Sequence, residues 1–362
     1  MPDKDYGIYS EEDEKQTDIV KCPSCGSNLE FDPKTQSLKC PHCGYEETIE
    51  KETSSEIVFD ALAKTDGSWN NETHIFRCQN CGANVVIEKK EISTNCPFCG
   101  TSNVVLTEEL SGQKPNAVVP FKLNKNEASD FTKRWLKRKF FAPKKFKQSA
   151  EPEGMNGVYN PTFTFDADTT STYRGTLGKY HTVTVSVNGK PVQRREIRYF
   201  SIAGTYNCFY DEVMIQASPS FTQKTLTALR PFDSNNSVKY QPKFLFGFAA
   251  SQYTKDGNEC WKEAKSRIEE KIRKGILAQY HYDVVKSLSI APTYLSITHK
   301  YLLLPIYVGH FNWSQKLYNF YVNGFNGKVT GKVPVSVWKV LLVVGIAVAV
   351  LLVFLLIYLL SQ

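Results

Sequence analysis

No stretch near the start of the chain has the apolar run of an export signal. Residues 1 to 20 hold seven acidic side chains against two lysines, so a secretory signal peptide is excluded there. A strong excess of one charge is also missing. The formal net charge of +7 over 362 residues excludes a global polyanion trap, and basic residues concentrate locally, near residues 122 to 147. Catalytic signatures are equally scarce: there is no Gly-x-Ser-x-Gly elbow, no His-Glu-x-x-His pair and no carboxylate pair spaced for acid and base roles. The stretch Gly324-Phe-Asn-Gly327-Lys328-Val-Thr330 has the wrong glycine spacing for a phosphate loop and follows a strand pattern that predicts a hairpin. ATP-driven unwinding is therefore excluded, and the expectation is that the chain is not an enzyme. Asp166 and Asp168, at alternate strand positions, read as exposed aspartates and not as a catalytic pair.

What the chain does have is cysteine in pairs. Eight of its ten cysteines form Cys-x-x-Cys knuckles, the arrangement of thiolates for metal more than for a disulfide scaffold. The first cluster is Cys22-Pro-Ser-Cys25-Gly26 and Cys40-Pro-His-Cys43-Gly44; the second is Cys78-Gln-Asn-Cys81-Gly82 and Cys96-Pro-Phe-Cys99-Gly100. Fourteen residues separate the knuckles in both clusters. Two residues between cysteines let both thiolates reach one ion near 2.3 Å, and the following glycine permits a positive φ. The expectation is two structural Zn2+ ions in closed four-thiolate sites with no open position for a substrate. Leu29, Phe31 and Leu38, and Val85, Val86 and Ile87, suit the short strands joining the knuckles. His42 reads as a surface histidine inside a knuckle, His74 likewise, and Cys208 and Cys260 as small apolar residues.

Val340 to Leu360 runs 21 residues without a charge, long enough to cross the ~30 Å hydrocarbon core of a membrane. Lys328, Lys332 and Lys339 precede it, which by the positive-inside rule places the N-terminal bulk in the cytoplasm. Trp338 and Tyr358 stand near its two ends, where amphipathic rings favour headgroups. The expected topology is a single pass with a tail anchor in the cell membrane.

Between cysteines and apolar run lie mixed elements. Ala117 to Phe121 predicts a short strand; Asn124 and Glu127 form a capping-box signal for a helix with Ala128, Phe131, Trp135 and Leu136 on one face. Its other face and continuation are basic, from Lys133 to Lys147, and three readings stand for them: a solvated face, anionic lipid contact, or nucleic-acid contact. Val183, Val185 and Val187 alternate with polar residues before Asn188-Gly189, a hairpin signal answered by Val192 to Phe200. A second hairpin is predicted from Tyr301–Val308 to Leu317–Val322, and a helix over Glu259–Tyr280 with Trp261, Ala264, Ile268, Ile272 and Ile276 on one side.

The order Gly157-Val-Tyr-x-Pro161, Phe165-Asp166-Ala167, Tyr173-Arg-Gly175, Phe209-Tyr-Asp-Glu-Val213 and His299-Lys-Tyr-x-Leu-Leu-Pro305, with Asn323-Gly-x-x-Gly-Lys328 and Pro334-x-Ser-x-Trp338, resembles an uncharacterised bacterial family of tail-anchored zinc-ribbon membrane proteins. Its members are often labelled transcription factor IIB-type zinc-ribbon proteins or relatives of the primosomal replication helicase. The resemblance implies a scaffold recruiting a flotillin-like (SPFH-domain) or phage-shock-type protein. The expected architecture is multi-domain. It comprises an acidic disordered tail at 1–20, a small four-cysteine zinc ribbon at 21–48, a linker at 49–70 and a second such ribbon at 71–106. An α+β domain with antiparallel β-hairpins at 115–330 and a transmembrane helix at 340–360 follow. The expected function is a membrane-anchored adaptor that brings a protein partner to the cytosolic face of the bilayer in envelope stress or membrane organisation. The alternative is a membrane-tethered nucleic-acid binder, which the near-balanced charge of both ribbons disfavours.

Overall fold

Long runs of threonine, valine and aromatic residues favour extended backbone over helix, and here they build unusually long strands. The computed structural model describes residues 20–59, 73–78, 84–88, 96–98, 104–109, 114–149, 155–187 and 190–360. Its spine is strand β9 (Asn156–Val187), paired antiparallel with β10 (Lys190–Gln216) on one side and β13 (Val284–Trp313) on the other. The predicted first hairpin is present, with Lys190 opposite Val187; the turn at 188–189 lies outside the described residues. Val158 to Phe165 of β9 is a continuous buried run, as a strand covered on both faces requires, whereas the distal part beyond Gly178 is mostly exposed.

The second predicted hairpin is also present, though its first strand is far longer than Tyr301–Val308. Alternation continues back to Val284 because β9 offers an edge along that whole length. After a turn at Ser314 and Gln315, both at positive φ, β14 (Lys316–Asn323) pairs with β13, and β15 (Val329–Gly331) pairs with β14. Gly324 to Lys328 forms the turn between those two strands: the Asn323 side chain accepts from the backbone N–H of Phe325 and Asn326.

Shorter strands extend the sheet. β8 (Ala117–Val118) runs parallel to β13 and carries β11 (Val238–Lys239). β12 (Ala249–Ser251) joins β9 to β6 (Asn84–Glu88), which pairs with β5 (Thr73–Cys78), itself paired with β7 (Val104–Glu109).

Helix α1 (Lys125–Lys137) begins at the predicted capping box: Glu127 N donates to Asn124 Oδ1 at 2.9 Å, and Asn124 N to Glu127 Oε2 at 2.9 Å. Short helices α2 (Lys144–Ser149) and α3 (Gln223–Leu229) follow. Helix α4 spans Gly257–Leu277 and not Glu259–Tyr280, because Asp256 caps it by accepting from Glu259 N at 2.7 Å. Ala264, Ile268, Ile272 and Ile276, four residues apart, bury one stripe of α4 against the β9–β10 pair. Gly275 lets the Tyr206 ring lie close against α4: a Cβ there would stand 2.2 Å from the Tyr206 hydroxyl, and the ring would have to shift.

Helix α5, Val337–Leu360, buries none of its residues. Among the described residues it is the one helix long and apolar enough to cross a membrane. Its 24 residues make it about 36 Å long, enough for the ~30 Å hydrocarbon core.

Candidate metal centre

The first cysteine cluster is built by two matching turns. β1 (Glu30–Asp32), β2 (Ser37–Lys39) and β3 (Glu46–Thr48) form a three-stranded antiparallel sheet. Cys22 and Cys25 precede it, and Cys40 and Cys43 stand between β2 and β3. In the first knuckle Gly26 N donates to Cys22 O at 2.8 Å and Cys22 N to Ser27 O at 2.8 Å. In the second, Gly44 N donates to Cys40 O at 3.1 Å and Cys40 N to Tyr45 O at 2.8 Å. Gly26 and Gly44 sit at φ +74° and +76°, the left-handed conformation the sequence predicts and one that a side chain would strain.

The four sulfurs converge. Their Sγ atoms all lie within 4.8 Å of one another, with Cys22 to Cys43 at 3.4 Å and Cys25 to Cys40 at 3.5 Å. Thiolates 2.3 Å from one tetrahedral ion stand about 3.8 Å apart, so the set fits zinc. Cys22 and Cys40 are buried, Cys25 and Cys43 exposed at the knuckle tips. Hydrogen bonds from the Ser27 side chain and backbone, then from Cys40, lower the Cys25 thiol to about 6. His42 is exposed, as the knuckle geometry predicts for a residue between ligands.

The second cluster is only partly described. Cys78 closes β5 and is buried, Cys96 is buried, and both lie in one apolar cluster with Phe98, Phe221 and Phe232. Cys81 and Cys99 lie outside the described residues. Cys260 is buried and Cys208 half-buried.

The ribbon is not held by metal chemistry alone. Phe31 N donates to Phe246 O at 3.0 Å, and the Phe31 ring meets those of Phe244 and Phe248 with centroids at 5.5 and 6.4 Å. Gln36 Nε2 donates to Phe121 O at 2.6 Å, Lys243 pairs with Glu47 at 2.7 Å, and Lys34 pairs with Glu127. The segment expected as a linker is laid along the body in its described part. Gln241 Nε2 donates to Glu50 O at 2.8 Å, Lys239 N to Glu52 O at 2.8 Å, and β4 (Ile57–Val58) pairs with Thr298 and His299.

Beneath that strap lies a carboxylate pair that sequence reasoning missed. Asp166 Oδ1 accepts from Glu212 N at 2.8 Å, at the β10 bulge where Glu212 adopts φ +50°. Burial first, and then the neighbouring Glu56 carboxyl, push Asp166 up to about 7. Glu56 is lowered: burial opposes this, but the Thr298 hydroxyl, Asp166 and Lys300 outweigh it. Of the two carboxyls, Asp166 is thus the more readily protonated. The pair was invisible in sequence because 110 positions separate its members. Asp168 is half-buried in the same strand.

Two comparisons bear on this geometry. The profile of the Trm112p-like protein family matches residues 13–45, which include both knuckles. Along most of its length the chain is similar to "Uncharacterized protein YdjG" of Bacillus subtilis (strain 168), at 28% identity over 327 residues, 88% of this chain and 91% of that protein. No solved structure matches. Fold, site and comparisons together define a β-rich protein with an N-terminal Trm112p-like zinc-binding cluster and a C-terminal helix able to span a membrane.

Proposed function

We propose that the chain is a membrane-anchored zinc-ribbon adaptor. It holds structural zinc on four thiolates in each of two ribbons, catalyses no reaction, and recruits a protein partner to the cytosolic membrane face. The carrying observation is that a closed four-cysteine set, its knuckle tips exposed, is docked through Phe31 and ion pairs onto a body continuous with an apolar helix. A closed coordination sphere stabilises a surface and offers substrate no vacancy. Lys328 and Lys332 ahead of α5, with Lys339 in its first turn, favour a cytosolic body. A flotillin-like or phage-shock-type protein is the partner class that the family resemblance implies.

One observation favours a second reading, nucleic-acid binding. The far end of the β9–β10 pair exposes Lys179, Lys190, Arg194, Arg195 and Arg198 beside Tyr180, Tyr199 and Phe200. Arg195 lies over the Tyr180 ring at 3.7 Å and Lys286 over Tyr199 at 4.6 Å. Basic side chains interleaved with exposed rings suit single strands. The two readings part when tagged full-length protein is purified from gently solubilised membranes beside Cys25→Ser/Cys43→Ser and Arg194→Glu/Arg198→Glu forms. A defined protein lost with the cysteine variant is the expected result. Nuclease-sensitive material lost with the arginine variant, and no such protein, would overturn the adaptor reading.

A further inference from the structure

The turn between α1 and α2 is anchored to the beginning of α5, some 200 positions away in sequence. Ser336 N donates to Phe141 O at 2.8 Å, and Lys339 Nζ donates to Phe140 O at 2.7 Å and Ala142 O at 2.8 Å. Lys339 lies in the first turn of α5, so the α1–α2 turn sits within about one helical turn, ~5 Å along the axis, of where the apolar helix begins.

What this turn shows to solvent is unusual for a soluble surface. Phe140 is 60% and Phe141 42% exposed, their rings packed edge to face at 5.3 Å, and Trp338, in the first turn of α5, is 82% exposed. Six basic side chains and no acidic one lie between Lys137 and Lys147. The turn is also held firmly from behind. Phe146 is buried among Phe311, Trp313, Tyr318 and Phe320, with ring centroids 5.4 to 6.2 Å away. Exposed aromatic rings flanked by lysines, at the depth where a span enters the bilayer, match the chemistry of an interface: apolar rings at the acyl boundary and ammonium groups among anionic headgroups.

We infer that the α1–α2 turn is a second membrane contact, in which Phe140 and Phe141 insert at the headgroup boundary while Arg138 and Lys144 bind anionic phospholipid. This rests on reading α5 as a membrane span. Its consequence is a body held at a fixed attitude to the bilayer instead of swinging on a single helix. The partner is anionic lipid and not nucleic acid because the rings and the start of α5 share one surface.

The test uses the full chain in nanodiscs of phosphatidylcholine with or without phosphatidylglycerol, followed by hydrogen exchange of peptides covering 138–148. Exchange slows in the anionic discs by about fivefold or more, the factor one basic side chain contributes near an anionic surface. Arg138→Glu/Lys144→Glu removes the difference between discs, Phe140→Ser/Phe141→Ser raises exchange in both, and α4 peptides stay unchanged in every form. Equal exchange of the wild-type peptides in the two discs would overturn the inference, as would protection supplied in neutral discs by a single-stranded RNA. Alkaline carbonate extraction of the same protein from vesicles separates the two levels. Retention with no disc difference sinks the second contact alone, whereas release sinks the spanning helix and the contact together.

Discussion

Asp166 shows how one side chain can serve a backbone irregularity and a titration at once. Its carboxyl accepts the Glu212 N–H at the β10 bulge, where the regular ladder is interrupted. Burial and Glu56 raise its folded pKa to about 7, above the ~3.9 of an unfolded aspartate. The folded state thus binds the extra proton between those values, so this group's stabilisation is fullest near pH 4 and is lost as pH rises through 7. A thermal melt followed between about pH 6 and pH 8 should fall with rising pH in the wild type and fall less in Asp166→Asn, which keeps an acceptor for Glu212 N–H but carries no charge. Identical slopes would remove Asp166 as the cause.

At the scale of elements, the ribbon buries Leu29, just ahead of β1, with Phe31 of β1 and Leu38 of β2 in the same core as Tyr159, Phe163 and Phe165 of β9. Strands of three residues have too little surface to stand alone. Metal supplies the local closure, and Phe31 the attachment. Phe31→Ala should cost about 3–5 kcal/mol of docking, read as faster hydrogen exchange across 20–48 with the first zinc equivalent retained, since no ligand is touched. Zinc lost together with docking would mean the body, and not the knuckles, sets the site. The capping box of α1 and the hairpins β9–β10 and β13–β14 were legible in sequence because each is a local device that joins segments close along the chain and needs no distant surface. The docking of the ribbon was not, because Phe31 meets Phe244 across 213 positions and nothing in the local pattern distinguishes a docked strand from a free one.

For the whole molecule, the shared core predicts that the zinc site and the body melt as one cooperative unit. No tryptophan lies between residues 20 and 59, while Trp135, Trp261 and Trp313 lie in the body, so a fluorescence melt follows the body and not the ribbon. Cys25→Ser should lower that melt by about 5 °C or more, corresponding to roughly 2 kcal/mol in a body of this size. A melt unchanged despite zinc loss would show an independent module. β9, some 100 Å of extended chain, runs through the body to the basic hairpin.

By itself the sequence determined what depends on spacing along the chain. Four thiols in two matched knuckles, an uncharged run long enough for a bilayer, and alternating strands around turn residues are decided by neighbours a few positions apart. Only the tertiary structure decided that Phe31 is a docking residue, that Glu56 faces Asp166, and that the basic turn at 138–147 lies against the start of α5. Each of these joins surfaces distant in sequence, and their energies come from burial and charge pairing that exist only once the long β9 spine has brought the segments together.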